Sequence, residues 1–220
     1  MAITATNSGG SSYEPIPAGT YLARCYSMVQ IGTIKEEFQG LEKMVNKVRI
    51  TWELPTELKV FNPDKGEQPQ AISKEFTLSM HEKSSLRAFL TSWRGKGFTD
   101  DEAKAFDVTK LLGVPCMLSI VHEPGKKDPS RIYDKIASVS TVMKGVIMPP
   151  QINPSFEFTL ENFDQNKFDF LPDFLKDKIR QSKEYKTMIS PEIRHMEEIK
   201  NKIENFGPAS QEEDFDPMPF

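Results

Sequence analysis

Apolar and polar residues alternate along several stretches in the first part of the chain, and such alternation predicts half-buried β-strands. Five strands are predicted: Thr20–Ile31, Lys43–Leu54, Ala71–His81, Val114–Glu123 and Arg131–Val142. In the second strand, Lys43, Lys47 and Arg49 fall on one face, and the apolar residues that alternate with them fall on the other. We therefore expect this strand to have a core-facing side and a basic side.

The hydrophobic period changes after the third strand. Four apolar residues recur there at helical spacing: Leu86, Phe89, Leu90 and Trp93. Ser84 and Ser85 precede them and Gly95 and Gly97 follow, so an amphipathic helix is predicted between these residues. A second, short helix is predicted around Glu102–Phe106.

The predicted order over residues 17–142 is β-β-β-α-β-β, with the main helix between strands three and four. This order is typical of the OB-fold, a five-stranded Greek-key barrel. We therefore expect a mainly β chain with an OB-fold single-strand-binding domain at residues 17–148.

The segments outside this domain differ in composition. Residues 1–16 are rich in Ser, Gly and Thr and predict a disordered arm. Residues 149–206 predict a Phe-rich strap and a helical extension, with helices near Pro172–Thr187 and Pro191–Phe206. A strap that packs on the barrel, or a subunit interface in a homo-oligomer, explains the Phe rings better than a stacking platform, because acidic residues that would repel phosphate alternate with them. Residues 207–220 predict a disordered acidic tail.

Composition argues against several classes of protein. The chain has 220 residues, of which 38% are hydrophobic, and no apolar run approaches the roughly 20 residues that span a bilayer. The first residues do not resemble a signal peptide, so neither a membrane protein nor an exported one is expected. Cys25 and Cys116 lie in apolar, strand-like runs, which favours reduced core thiols and a cytoplasmic location. The histidines are scattered, so no metal site and no cofactor are predicted.

Charge is distributed unevenly along the chain. The formal net charge is −4, but residues 17–150 carry 19 basic and 16 acidic residues. The last 16 residues carry four acidic residues and no basic one. The predicted domain is therefore mildly basic, and negative charge is concentrated at the C-terminus.

The C-terminus combines acidic and apolar groups. Asp214, Phe215, Asp216, Pro219 and Phe220 place two aromatic rings and a terminal carboxylate on an acidic segment. A partner with a small apolar pocket bordered by Lys and Arg could bind these features together. The alternative is a solubilising tail, a role that a hydrophobic terminus serves badly.

This ending, DFDPMPF, resembles the C-termini of bacterial and phage single-stranded-DNA-binding proteins, which end in an acidic run followed by Pro-Phe. Met218 and Pro219 before the final Phe depart from that pattern. Stretches within residues 17–148 also resemble phage-encoded single-strand-binding proteins: Pro17–Tyr21, Leu90–Lys96, Lys110–Cys116 and Lys135–Val139. The resemblance implies a protein of a bacterial host cell that protects single strands and recruits replication or recombination proteins through its terminal Phe and carboxylate.

Basic and aromatic side chains are the candidates for holding a single strand, because bases stack on rings and phosphates attract cations. The basic candidates are Lys43, Lys47, Arg49, Arg94, Lys96, Lys126, Lys127 and Arg131. The aromatic candidates are Trp52, Phe76 and Trp93, although each also continues an apolar face, which favours a core position.

Signals for catalysis are weak. The sequence has no phosphate-binding Gly-rich loop followed by Lys-Ser/Thr and no Ser-centred nucleophile elbow. The function we expect is non-enzymatic binding of single-stranded DNA with little sequence preference, during phage or prophage replication and recombination. Two alternatives stay open: a protein-interaction or recombination-mediator module with weak DNA binding, and a nuclease accessory subunit.

Overall fold

An antiparallel sheet dominates the computed structural model, which describes residues 14–38, 40–125 and 128–190. Five of its strands are β1 (Gly19–Phe38), β2 (Leu41–Asn62), β3 (Gly66–Thr77), β4 (Pro115–Pro124) and β5 (Ile132–Ser140). Their order across the sheet is β3-β2-β1-β4-β5, and a short strand, β6 (Phe156–Phe158), pairs in parallel with β1. The expectation of a mainly β chain is confirmed.

The sheet curls so that its two outer strands approach each other. Lys74 Nζ on β3 donates a hydrogen bond to the carbonyl oxygen of Ile136 on β5, at 3.3 Å. Both strands run antiparallel to their neighbours and hence parallel to each other. The result is a curled half-barrel whose β2–β3 and β4–β5 hairpins project from the same end.

Four helices have both ends within the described residues: α1 (Ser85–Arg94), α2 (Asp100–Lys104), α3 (Gln165–Phe170) and α4 (Asp173–Arg180). The predicted main helix is confirmed by α1, which begins after the Ser84 cap and ends at Gly95, where φ is +64°. Its four apolar residues are buried against the concave side of the sheet. The helix predicted at Pro172–Thr187 is interrupted at residues 181–182, and helical structure resumes at 183–190. The helix predicted at Pro191–Phe206 lies outside the described residues.

Two separate hydrophobic clusters cover the two sides of the sheet. The larger lies between the sheet and α1 and includes Trp52, Phe76 and Trp93. The smaller joins Val29 and Ile31 of β1 to the C-terminal extension, whose buried members are Phe158, Leu160, Phe168, Leu171, Leu175 and Ile179. Successive side chains of β1 point to opposite faces, so this strand contributes to both clusters, and the register shift between Cys25 and Ser27 brings Met28 to the same side as Cys25.

The residue Ile16, which precedes β1, packs against the larger hydrophobic cluster. Ile16, within the arm predicted at residues 1–16, is 4% exposed, and its carbonyl oxygen lies 2.8 Å from His122 Nε2. Among the described residues, no helix is both long and apolar enough to cross a membrane.

Candidate functional site

The basic side of β2 lies on the convex side of the sheet, next to the C-terminal extension. Lys43 is exposed and makes no ion pair with another described residue. Lys47, by contrast, pairs with Glu36, and Arg49 Nη1 lies 3.2 Å from Glu75 Oε1 on β3. Two of the three predicted cations are therefore partly neutralised by acids of the same sheet.

Glu75 also links the sheet to the extension. Lys178 Nζ on α4 donates hydrogen bonds to both Glu75 carboxylate oxygens, at 2.7 and 2.9 Å. Burial opposes ionisation of Glu75, but Lys178, followed by Arg49 and Lys47, outweighs it and lowers the pKa of this carboxyl below its ordinary value. Glu75 is therefore charged at neutral pH and holds three cations around it.

A groove separates the sheet from part of the extension. Its volume is about 480 Å³, and its lining includes Tyr26, Thr51 and Ser73 from the sheet. Phe170 and Phe174 form part of the opposite wall and are 81% and 50% exposed. The Arg49 guanidinium lies 5.2 Å from the centre of the Phe174 ring, a cation–π arrangement. Aromatic rings in the groove therefore lie beside Arg49, which the sequence predicts as a phosphate-binding residue.

The three aromatic candidates from the sequence do not reach this groove. Trp52, Phe76 and Trp93 are 0%, 2% and 3% exposed. Trp52 packs at 5.6 Å from Trp93, between ring centres, and Trp93 Nε1 donates a hydrogen bond to the carbonyl oxygen of Pro115. Their expected stacking role must be corrected: they are core residues, because no base could reach their rings without opening the main hydrophobic cluster.

Arg94 and Lys96 lie on the opposite side of the sheet, at the end of α1. Arg94 stacks 4.1 Å from the centre of the Phe98 ring and donates a hydrogen bond to Glu102 at 3.1 Å. Lys96 is 70% exposed and lies 3.9 Å from the same carboxylate. Arg94 therefore anchors the segment that follows α1, while Lys96 projects into solvent.

The β4–β5 hairpin carries the remaining basic candidates. Lys126 and Lys127 lie outside the described residues. Arg131 is 73% exposed, with its Nε 3.4 Å from Asp128 Oδ2. The predicted tail residues, Asp214, Phe215, Asp216, Pro219 and Phe220, also lie outside the described residues. The structure thus groups Lys47 and Arg49 but distributes the other described candidates over separate elements.

Sequence reasoning did not single out Tyr26, Phe170 and Phe174 as site residues. Alternation along the first predicted strand cannot show which of its faces a distant segment covers. The Phe-rich segment was the available signal: Phe158 and Phe168 anchor it in the smaller cluster, whereas Phe170 and Phe174 face outward.

The described residues contain no group of three or more His, Cys, Asp or Glu side chains placed to hold a metal ion. Comparisons of the chain with family models, with curated proteins and with solved structures found no match.

Proposed function

We propose that this protein binds single-stranded DNA on the convex side of an OB-fold sheet. The observation that carries the proposal is the topology: the strand order β3-β2-β1-β4-β5, the approach of β3 to β5, and α1 between β3 and β4. In OB-folds the face of strands two and three, with the neighbouring loops, binds oligonucleotides. Lys43, Lys47 and Arg49 lie on the corresponding strand here.

Phosphate contacts from this strand and base stacking would supply the affinity, with little sequence preference. Each phosphate contact on a single strand contributes about 0.7 to the slope of log affinity against log salt. Three lost contacts would therefore reduce the slope by about 2.

The test is fluorescence anisotropy of a labelled oligo-dT over a salt series, with duplex DNA as competitor. We expect preference for the single strand, and weaker, less salt-dependent binding when Lys43, Lys47 and Arg49 are all replaced by Ala. Replacement of Lys83, Lys104 and Lys110, which are exposed in the segment between β3 and β4, removes the same number of positive charges and serves as the control. Lys43→Ala alone is a second variant, because this residue holds no ion pair whose loss would disturb the described fold.

A protein-interaction or recombination-mediator module is the second candidate, and one observation favours it. Glu36 and Glu75 already neutralise two of the three cations on β2, which weakens the attraction for phosphate. Under this alternative, oligo-dT binding would be weak and equal in all three variants. A nuclease accessory role has no comparable support from the described residues.

We further propose that the acidic C-terminal tip recruits replication or recombination proteins. Support comes from the sequence alone, from its resemblance to the tips of single-stranded-DNA-binding proteins and from the combination of carboxylates with a terminal Phe.

A further inference from the structure

We infer that the groove between the convex side of the sheet and the C-terminal extension accepts unstacked nucleobases, which stack on Phe170 and Phe174. This inference rests on the proposed function and adds a second wall, built by the extension, to the strand-binding surface. The occupant is therefore a segment of single-stranded nucleic acid.

The rings of Phe170 and Phe174 are accessible for stacking, and the backbone that carries them is held in place. Phe170 and Phe174 are 81% and 50% exposed, yet the backbone between and beyond them is fixed, because Leu171 and Leu175 are 5% and 2% exposed in the smaller cluster. Phe170 also lies 5.8 Å from Phe156, between ring centres. Exposed rings on an anchored backbone lose little conformational freedom on binding, which is what a stacking site requires.

Hydroxyl groups of the sheet line the groove opposite these rings. The Tyr26 hydroxyl makes no hydrogen bond within the described part of the chain, and the hydroxyls of Thr51 and Ser73 lie 3.0 Å apart on the groove floor. These groups can donate to and accept from the edge of a base. A purely apolar peptide side chain would leave the Tyr26 hydroxyl without a partner and would not use the hydroxyl pair of Thr51 and Ser73, so the lining favours a heterocycle.

The charge and the size of the groove also fit a segment of single-stranded nucleic acid. Arg49 lies at the groove beside Phe174, and Lys47 and Lys178 surround the same Glu75 carboxylate. A phosphate next to a bound base would lie near Arg49 and Lys47 on the sheet and near Lys178 on α4. Asp173 on the other side is 92% exposed and pairs with Lys176 at 2.8 Å, so its charge is partly compensated. The volume of about 480 Å³ lies within the range of sites for small molecules.

The test uses the full-length protein with Phe170 and Phe174 both replaced by Ala, and with both replaced by Tyr to restore stacking. The control replaces Met143 and Ile147 by Ala, which are exposed at 61% and 90% but lie between β5 and β6 and do not line the groove. Affinity for oligo-dT is measured by anisotropy. An oligonucleotide that contains 5-iododeoxyuridine is photocrosslinked to the protein, and the crosslinked peptides are identified by mass spectrometry.

We expect the Ala pair to weaken binding about 5-fold or more, since stacking contributes about 1–3 kcal/mol per base. The Tyr pair and the control should bind as the unmodified protein does, and crosslinks should fall within residues 153–175 or on Tyr26. Unchanged affinity of the Ala pair, with crosslinks elsewhere, would overturn the inference and leave the proposed function standing.

Two other outcomes also decide the matter. If the unmodified protein does not bind oligo-dT at low salt, the proposed function fails and this inference fails with it. If the Ala pair keeps its oligo-dT affinity but loses binding of a synthetic peptide of residues 212–220, the groove belongs to the chain's own tail, and the assignment to nucleobases is overturned.

Discussion

At the scale of single residues, Glu53 attaches the segment that follows β5 to the sheet. Its side chain is fully buried between two apolar neighbours on β2. It accepts hydrogen bonds from the backbone N–H groups of Ile152 and Asn153, at 2.9 and 2.7 Å, and from Asn153 Nδ2 at 2.8 Å. Nothing in the local alternation indicates this role, because the three donors come from a segment about one hundred residues later in the chain.

We predict that Glu53→Ala lowers the free energy of unfolding by at least about 1–3 kcal/mol, because buried donors lose their acceptor. Glu53→Gln should lower the free energy of unfolding by less, since the amide oxygen of the new side chain can still accept a hydrogen bond. Urea unfolding measures both. Glu123→Gln is the matched control: Glu123 is 51% exposed and pairs with Lys135 at the surface, so its loss should cost less than about 0.5 kcal/mol. Equal stabilities of Glu53→Ala and the control would contradict this role.

The two cysteines behave as core residues. Burial raises the pKa of Cys25 to about 12 and raises that of Cys116 further. Because the thiolate is the reactive form, neither should react with a thiol reagent in the folded protein at pH 8. We predict that a disulfide reagent such as DTNB labels both thiols only after denaturant is added, which makes labelling a probe of unfolding. Rapid labelling of either thiol in the native protein would show that the main cluster opens readily.

At the scale of elements, the sequence predicts where the strands lie but predicts their first and last residues poorly. The strand predicted at Lys43–Leu54 lies within β2, which runs from Leu41 to Asn62. Most of the added residues follow Pro55, which is ordinarily a sign that a strand ends, and form an arm of the β2–β3 hairpin whose side chains are largely exposed. Helix α1 was predictable because cap residues and an apolar stripe coincide within ten residues.

Gly32 sets how closely the extension approaches β1. Its φ is +89°, and a Cβ there would lie 2.6 Å from Leu160 Cδ1 and 2.7 Å from Ser182 Cβ. We predict that Gly32→Ala weakens docking of the extension and accelerates proteolysis within residues 159–190. Gly40→Ala is the control: its φ is +76°, but a Cβ there would meet nothing within 4 Å.

Both substitutions should carry the backbone cost of about 1–2 kcal/mol for a left-handed residue. In urea unfolding, the excess loss in Gly32→Ala over Gly40→Ala therefore measures the steric part alone. If the two variants lose the same free energy of unfolding, the extension moves to accept the Cβ at residue 32 without a steric cost.

Besides Glu53, two carboxylates attach the extension to the sheet: Glu75, which binds Lys178, and Glu184, which accepts hydrogen bonds from Thr33 N and Oγ1 at 2.7 and 2.6 Å. Partial burial disfavours the charge on Glu184, but the Thr33 hydrogen bonds outweigh it, so its pKa, like that of Glu75, is lowered. A lowered pKa contributes stability that is present above the ordinary value of 4.5 and is lost as pH falls through the folded-state pKa.

We therefore predict that the stability difference between the unmodified protein and Glu184→Gln shrinks as pH falls below about 4.5. Urea unfolding at several pH values between about 3 and 7 measures this difference. A difference that stays constant over this range would mean that the Glu184 charge does not hold the extension.

At the scale of the whole molecule, the arrangement of the site depends on pairings that a single sequence does not encode locally. Alternation correctly indicates that Lys47 and Arg49 share a face, but their acidic partners come from β1 and β3. The same alternation cannot show that a segment more than one hundred residues away covers part of that face and brings Phe174 to Arg49. Fold class was therefore predictable from patterns, whereas the composition of the groove required the tertiary structure.

The acidic tip is the last element of the proposed function, and its prediction follows from charge. Four carboxylates on the chain end can compete with phosphate for cations on β2 and can also bind a basic pocket on a partner. Deletion of Asp214–Phe220 should leave urea stability unchanged. It should keep or slightly raise oligo-dT affinity, most at low salt where charges are least screened, and it should abolish partner binding.

Deletion of Phe220 alone should reproduce most of the partner defect, because it removes the anchoring ring and moves the terminal carboxylate onto Pro219. Pull-downs from host lysate with the intact protein and with both deletions measure this effect. A matched variant, Glu212→Gln with Glu213→Gln, lowers the charge but keeps the apolar end. Recovery of the same replication or recombination proteins with and without Phe220 would show that the tip acts only through its charge, since the ring and its carboxylate would then add nothing to recognition.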